Sequence, residues 1–123
     1  MARSRALILF AHGSREPEWA APFRTLQKET AARRRDVAVE LAFLEFMQPS
    51  LRDAVDRLVA AGRGHITIAP LFMAQGAHLK QDLAQAMREL RKRHADVQFK
   101  LLPAAGEVDA IIDATSTWLA ANS

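Results

Sequence analysis

Three residues of this sequence are best suited to chemistry: His12, Glu45 and His78. Each of them lies at the end of an apolar run of the chain or in the short loop that follows it. Imidazole and carboxylate groups bind divalent transition metals, and imidazole also accepts protons near neutral pH. The residue types therefore predict either a metal site or a site of acid–base chemistry.

Four runs of the sequence predict β-strands: Ala6–Phe10, Val37–Leu44, His65–Phe72 and Val97–Leu102. The first and third are apolar on both faces, which is typical of central strands in a parallel sheet covered by helices. The other two contain Glu40 and Lys100, and a charge within a strand favours an edge position.

Helices are predicted between and after the strands, beginning near Pro17, Ser50, Leu79 and Gly106. Their apolar residues recur at helical spacing and predict one buried stripe per helix. These stripes are Trp19, Phe23 and Leu26; Leu51, Val55, Leu58 and Val59; Leu79, Leu83, Met87 and Leu90; and Val108, Ile111, Ile112, Thr115, Trp118 and Leu119.

The alternation of strand and helix predicts one α/β domain over residues 1–123. We expect a three-layer sandwich with a four-stranded parallel sheet in the flavodoxin-like order 2-1-3-4. Ligands of such sheets bind beyond the carboxyl ends of the strands. Because adjacent strands are about 4.8 Å apart, the three side chains should start within about 10 Å of one another.

Each of these residues also has an ordinary structural interpretation. His12 could be a hydrogen-bonded histidine at a strand end, His78 a helix-start residue bonded to backbone, and Glu45 a surface acid. Their coincidence at one edge of the sheet favours a functional site. By contrast, His65 is expected at the opposite end of the sheet, and His94 is expected to be solvated at a helix end.

Composition excludes several classes of protein. The 123 residues carry a net charge of +3, which suits an acidic small molecule and is too small for a nucleic-acid footprint. There is no apolar run long enough for a membrane span, and the first one is too short for a secretory signal. With no cysteine, disulfides and thiolate ligands are excluded. We expect a cytoplasmic protein.

Three motifs resemble those of the class II tetrapyrrole chelatases. They are Leu9–Arg15 (LFAHGSR), Ala42–Ser50 (AFLEFMQPS) and Ala69–Asp82 (APLFMAQGAHLKQD). They occur in the family's order, each after the expected strand, and the resemblance covers nearly the whole chain. The sequence is most similar to the short, single-lobe, CbiX-like sirohydrochlorin cobaltochelatases.

The resemblance implies a metal site of His12, Glu45 and His78, with the two histidines catalytic. Five further residues of these motifs are candidates to bind substrate: Ser14, Arg15, Gln75, Gly76 and Lys80. It also implies a tetrapyrrole substrate such as sirohydrochlorin, a homodimer, and a divalent metal as substrate. Co²⁺ is expected, with Ni²⁺ and Fe²⁺ as alternatives, and no organic cofactor. The sequence departs from the family after the fourth strand, where the stretch 102–107 has no histidine.

The residues leave one other class of function open and are less consistent with two more. A non-catalytic protein that binds a divalent metal would use the same ligands. A histidine phosphatase would need Arg-His-Gly, and Ala11 precedes His12 here. A nucleotide-binding module would need a glycine-rich phosphate loop after the first strand, which this sequence lacks.

Overall fold

The computed structural model describes residues 4–123 as an α/β fold. Its strands are β1 (Ser4–Ala11), β2 (Val37–Phe43), β3 (Arg63–Pro70) and β4 (Gln98–Leu101). Its α-helices are α1 (Ala21–Arg33), α2 (Leu51–Ala60), α3 (Ala77–Arg93) and α4 (Asp109–Ala121), with short 3₁₀ turns at Pro17–Ala20 and Ala105–Glu107. None of the helices in this part of the chain is long and apolar enough to cross a membrane.

The four strands form one parallel sheet in the order β2-β1-β3-β4. The predicted strand order is therefore confirmed. Ile8 and Ile68 pair across the two central strands, and both side chains are fully buried. Glu40, on β2, is exposed at the edge, as its charge predicts.

Helices α2 and α3 cover one face of the sheet. The buried residues of this layer include Leu51, Val55 and Leu58 from α2 and Leu83, Met87 and Leu90 from α3. They pack against the central strands, so both predicted stripes are confirmed. Ser50 caps α2 because its Oγ accepts a hydrogen bond from the Asp53 amide at 3.2 Å.

Helix α1 lies on the other face, over β1 and β2. Trp19 and Phe23 pack there against Leu9, Leu41 and their neighbours. The prediction that Leu26 belongs to this buried stripe is wrong, because 41% of its surface is exposed. The face of α1 that meets the sheet runs at i+4 spacing from Phe23 through Gln27, whose Nε2 donates a hydrogen bond to the Val39 carbonyl, to Ala31, and Leu26 lies beside that face.

The predicted inward stripe of the last helix is wrong as well. No residue of α4 is buried, and its main packing partner is the adjoining turn Ala105–Glu107. Ile111, Ile112, Trp118 and Leu119 are all exposed. Periodicity shows that these side chains share a face, but it does not show which surface, if any, that face meets.

Candidate functional site

His12 and Glu45 form a direct pair at the carboxyl edge of the sheet. The His12 Nε2 and Glu45 Oε1 atoms are 3.0 Å apart, and about half of each side chain is exposed. The two residues come from different strands, β1 and β2, as predicted from the sequence. An imidazole beside a carboxylate at an accessible edge can hold a cation, and it can also pass a proton to the carboxylate.

The backbone of the two strand ends holds this pair together. The Leu44 amide donates a hydrogen bond to the Ala11 carbonyl, and the Glu45 amide donates one to the His12 carbonyl. These bonds tie the two residues that follow β2 to the end of β1 and to the residue after it. The two side chains therefore leave neighbouring backbones at the same level of the sheet.

An aromatic and cationic surface surrounds the pair. The rings of His12 and Phe72 meet edge to face with centroids 6.3 Å apart. The exposed Phe46 has a φ of 67°, in the left-handed region, and the guanidinium of Arg15 lies 4.8 Å from its ring centroid. Ser14 is partly buried, and its Oγ accepts a hydrogen bond from the Glu16 amide.

His78 does not join the His12–Glu45 pair. It is exposed in the first turn of α3, which begins two residues earlier than predicted, with Gly76 as the residue before the helix. Within residues 4–123, no three histidine or acidic side chains lie close enough to hold one metal ion. The structure thus brings together two of the three predicted ligands.

Gln75 and Lys80, two more of the predicted substrate residues, lie in a separate cavity near the carboxyl ends of β3 and β4. This cavity has a volume of about 380 Å³ and is also lined by Glu107. The Gln75 Nε2 donates a long hydrogen bond of 3.5 Å to Glu107 Oε1. Sequence reasoning did not select Glu107, although its position after the fourth strand was a signal that it belongs to this edge.

His94 is a structural residue and is not solvated, contrary to the expectation from its helix-end position. Its side chain is only 16% exposed, and Nε2 lies 2.7 Å from Asp56 Oδ1. Arg93 donates two further hydrogen bonds to the same carboxylate, at 3.0 and 2.9 Å. The hydrogen bonds from Arg93 and His94 lower the pKa of Asp56 to about 2. This cluster joins α2 to the end of α3.

The parallel sheet in the order β2-β1-β3-β4 defines an α/β protein with a flavodoxin-like strand order, a class whose members bind ligands beyond the carboxyl ends of the strands, where the His12–Glu45 pair lies. A model of the CbiX family matches residues 6–120. This match spans nearly the whole chain, and the protein belongs to the CbiX family.

Curated relatives in archaea carry the name sirohydrochlorin cobaltochelatase. One from Sulfurisphaera tokodaii is 33% identical over 85 residues, which are 69% of this chain and 69% of the relative. One from Saccharolobus islandicus is 36% identical over 81 residues, which are 66% of this chain and 62% of the relative.

Solved structures share the fold. A CbiX protein from Marinobacter aquaeolei matches with a TM-score of 0.83 and 28% identity, over 96% of both chains. The sirohydrochlorin chelatase SirB from Bacillus subtilis, solved with cobalt, matches with a TM-score of 0.78 and 21% identity. That match covers 93% of this chain and 49% of SirB, so this chain spans about half of the longer protein.

Proposed function

We propose that this protein inserts Co²⁺ into sirohydrochlorin, the activity for which its archaeal relatives are named. The observation that carries the proposal is the exposed His12–Glu45 pair, 3.0 Å apart at the ligand-binding edge of the sheet. Membership of the CbiX family supports the same activity.

Metal insertion requires two chemical events, and the pair is suited to both. The incoming cation loses water ligands, and two pyrrole N–H bonds break as metal–nitrogen bonds form, which releases two protons. A neutral His12 imidazole can hold the cation or accept a proton. Glu45 can offset the positive charge of the cation or orient the imidazole through the hydrogen bond already present.

His78 is proposed as the second catalytic histidine and third metal ligand. It is outside the pair in the single chain, so it must act after substrate or a second copy has closed the site. We propose a homodimer in which two copies face one substrate, since this chain is about half the length of the SirB proteins. A two-fold axis would place two copies of each histidine at one cleft.

Basic and apolar side chains at this edge of the sheet suit a flat, acidic macrocycle. Sirohydrochlorin carries several carboxylates, for which Arg15 and Lys80 are the proposed partners. Ser14, Gln75 and the backbone at Gly76 are proposed as further polar contacts. The exposed Phe46 and Met73 offer apolar surface to the ring.

The test is a metal-insertion assay followed by absorbance, with sirohydrochlorin and Co²⁺, Ni²⁺ or Fe²⁺ supplied separately. We expect catalysed insertion over a protein-free control, fastest with Co²⁺, and its loss in His12→Ala and His78→Ala. Faster insertion of Ni²⁺ or Fe²⁺ would reassign the metal. If the protein binds metal but accelerates nothing, it is a metal-binding protein and the proposed activity is wrong.

Arg15→Ala and Lys80→Ala test the carboxylate contacts in the same assay. We expect each to raise the KM for sirohydrochlorin several-fold while the kcat stays close to that of the unmodified protein. An equal fall in kcat with KM unchanged would contradict a binding role. The cytoplasmic location and the lack of an organic cofactor are further predictions. The second is tested by assaying the purified chain with sirohydrochlorin and metal and no added organic cofactor.

A further inference from the structure

An apolar cavity lies at the carboxyl edge of the sheet, between the first turns of α2 and α3. Its volume is about 220 Å³. Its walls are apolar side chains from the ends of β1 and β2 and from the two helices: Phe10, Phe43, Leu44, Leu51, Leu79 and Leu83. An apolar cavity of about 150 Å³ is enough to hold benzene. This cavity is therefore large enough for one substituted five-membered ring.

The cavity adjoins two of the candidate metal ligands. Leu44 is the residue before Glu45, and Leu79 is the residue after His78. Both leucines line the cavity, so Glu45 and His78 stand on two sides of it. None of the residues proposed above to contact substrate is among its walls. The cavity is thus a part of this edge to which no role has been assigned.

Aromatic contacts connect the cavity to His12 as well. Phe10 is buried in the wall, and its ring meets the ring of Phe72 edge to face with centroids 5.8 Å apart. The Phe72 ring meets the His12 ring in the same way at 6.3 Å. A ligand in the cavity therefore lies within one or two contacts of every candidate ligand of the metal.

Two charged residues line the same cavity, Arg52 from α2 and Asp82 from α3. Both are exposed, and Arg52 forms no ion pair within residues 4–123. A guanidinium without an acidic partner is suited to bind a carboxylate, and the carboxylate of Asp82 directs such an anion to the α2 side. The cavity therefore fits a ligand that carries a small apolar group and a carboxylate side by side.

We propose that this cavity binds a methyl-bearing ring of the tetrapyrrole, with the methyl group among the leucine and phenylalanine side chains and the neighbouring acetate chain on Arg52. Sirohydrochlorin contains such rings, since two of its ring carbons each carry a methyl group beside an acetate chain. A ring held in the cavity leaves the rest of the macrocycle beside His12 and Glu45. The assignment rests on the proposed function for its substrate, and it names the feature of that substrate which the protein selects.

Binding of sirohydrochlorin to the metal-free chain, followed by absorbance, provides the first test. Uroporphyrin is the comparison ligand, because it carries the same acid chains and no methyl groups on its ring. Ala86→Phe fills the cavity from α3, and we expect it to weaken sirohydrochlorin binding about tenfold or more and uroporphyrin binding little. Ala32→Phe, on the exposed side of α1, is the matched control. Unchanged sirohydrochlorin affinity in a folded Ala86→Phe protein, or an equal loss for both ligands, would overturn the proposal.

Arg52→Ala tests the carboxylate contact without disturbing the core, since this residue is exposed. We expect the Kd for sirohydrochlorin to rise several-fold while the affinity for Co²⁺ alone stays unchanged. Arg57→Ala is the control, because Arg57 is exposed on the same helix and lies outside the cavity. Equal sirohydrochlorin affinities in Arg52→Ala and Arg57→Ala would overturn the proposal.

These measurements separate the cavity assignment from the proposed activity. A chain that binds sirohydrochlorin, loses that binding in Ala86→Phe and inserts no metal would keep the cavity assignment and lose the activity. A chain that inserts Co²⁺ with the same kcat and KM in every variant would keep the activity and lose the cavity assignment. No binding of sirohydrochlorin by the unmodified chain would overturn both.

Discussion

Gly13 lies against the backbone of Glu45 with no space for a side chain. Its φ is +94°, in the region that favours glycine, and a Cβ there would overlap the Glu45 carbonyl oxygen. The residue before it, His12, is the partner of the Glu45 carboxylate. This close approach of two backbones is therefore what allows the two side chains to meet.

Gly13→Ala is expected to destabilise the fold by at least about 1 kcal/mol more than Gly62→Ala. Gly62 is the matched control because its φ is +88° but nothing lies within 4 Å of an added Cβ. Gly62→Ala should cost only the penalty for a side chain in the left-handed region, about 1–2 kcal/mol. Gly13→Ala adds to this penalty the overlap of the new Cβ with the Glu45 carbonyl. Urea unfolding of both variants measures the difference, and equal costs would show that the backbone contact is unimportant.

His12→Ala and Glu45→Gln should each weaken Co²⁺ binding by at least about tenfold, equivalent to about 1.4 kcal/mol. The double variant should lose less than the sum of the two single losses, since the side chains contact each other. Isothermal titration with Co²⁺ measures all three. His65→Ala is the control, and a strictly additive pair would indicate that the two residues act at separate sites.

Asp56→Asn should remove part of the acid sensitivity of the protein. Arg93 and His94 lower the pKa of Asp56 from 3.8 to about 2, so the folded state favours the ionised form. The stabilisation is complete above about pH 4 and is lost as the pH falls through about 2. Asp56→Asn should therefore lower stability at pH 6 and reduce the slope of stability against pH below 4.

Thermal unfolding between pH 2 and 7 measures this slope for Asp56→Asn. Asp82→Asn, on the surface of α3, controls for the loss of one negative charge. If Asp56→Asn has the same slope as the unmodified chain, the cluster with Arg93 and His94 contributes nothing to acid unfolding.

Phe46→Gly should leave stability within about 0.5 kcal/mol of the unmodified protein, although it removes an aromatic ring. The residue is exposed with a φ of 67°, so glycine relieves backbone strain and little burial is lost. We expect the KM for sirohydrochlorin to rise several-fold, since Arg15 loses the ring beneath its guanidinium. Phe46→Tyr keeps that ring and should keep the KM. A large loss of stability in Phe46→Gly would contradict this account.

Local patterns predicted the strands and most of the helices, because the apolar residues of an element must recur at its own spacing to face the core. Ile8 and Ile68 lie in runs apolar on both faces, which only a central strand requires. Ser50 was recognisable as a helix cap because its hydroxyl is placed to accept from an amide three residues on. The strand order then followed from which strands carry charge, and it placed His12 and Glu45 at one edge.

The same patterns failed where a residue's role depends on a distant surface. The stripe of α4 was predicted correctly as apolar and wrongly as inward, since periodicity carries no information on the partner. His94 was expected in solvent, but its ring contacts the carboxylate of Asp56, 38 positions away in the sequence, and is largely covered. His78 was placed with His12 by strand order and by the motif resemblance, whereas in the described chain it lies exposed in the first turn of α3 and in no group of three possible metal ligands.

By itself the sequence determined the α/β class, the order of the sheet and the residues at its carboxyl edge, since hydrophobic periods and turn residues act over a few positions. Tertiary structure alone decided that His12 contacts Glu45 at 3.0 Å, that Gly13 must lack a side chain, and that α4 is left without a covering surface. The physical reason is that these are contacts between backbones and side chains far apart in the chain, and their distances are set by packing of the whole fold.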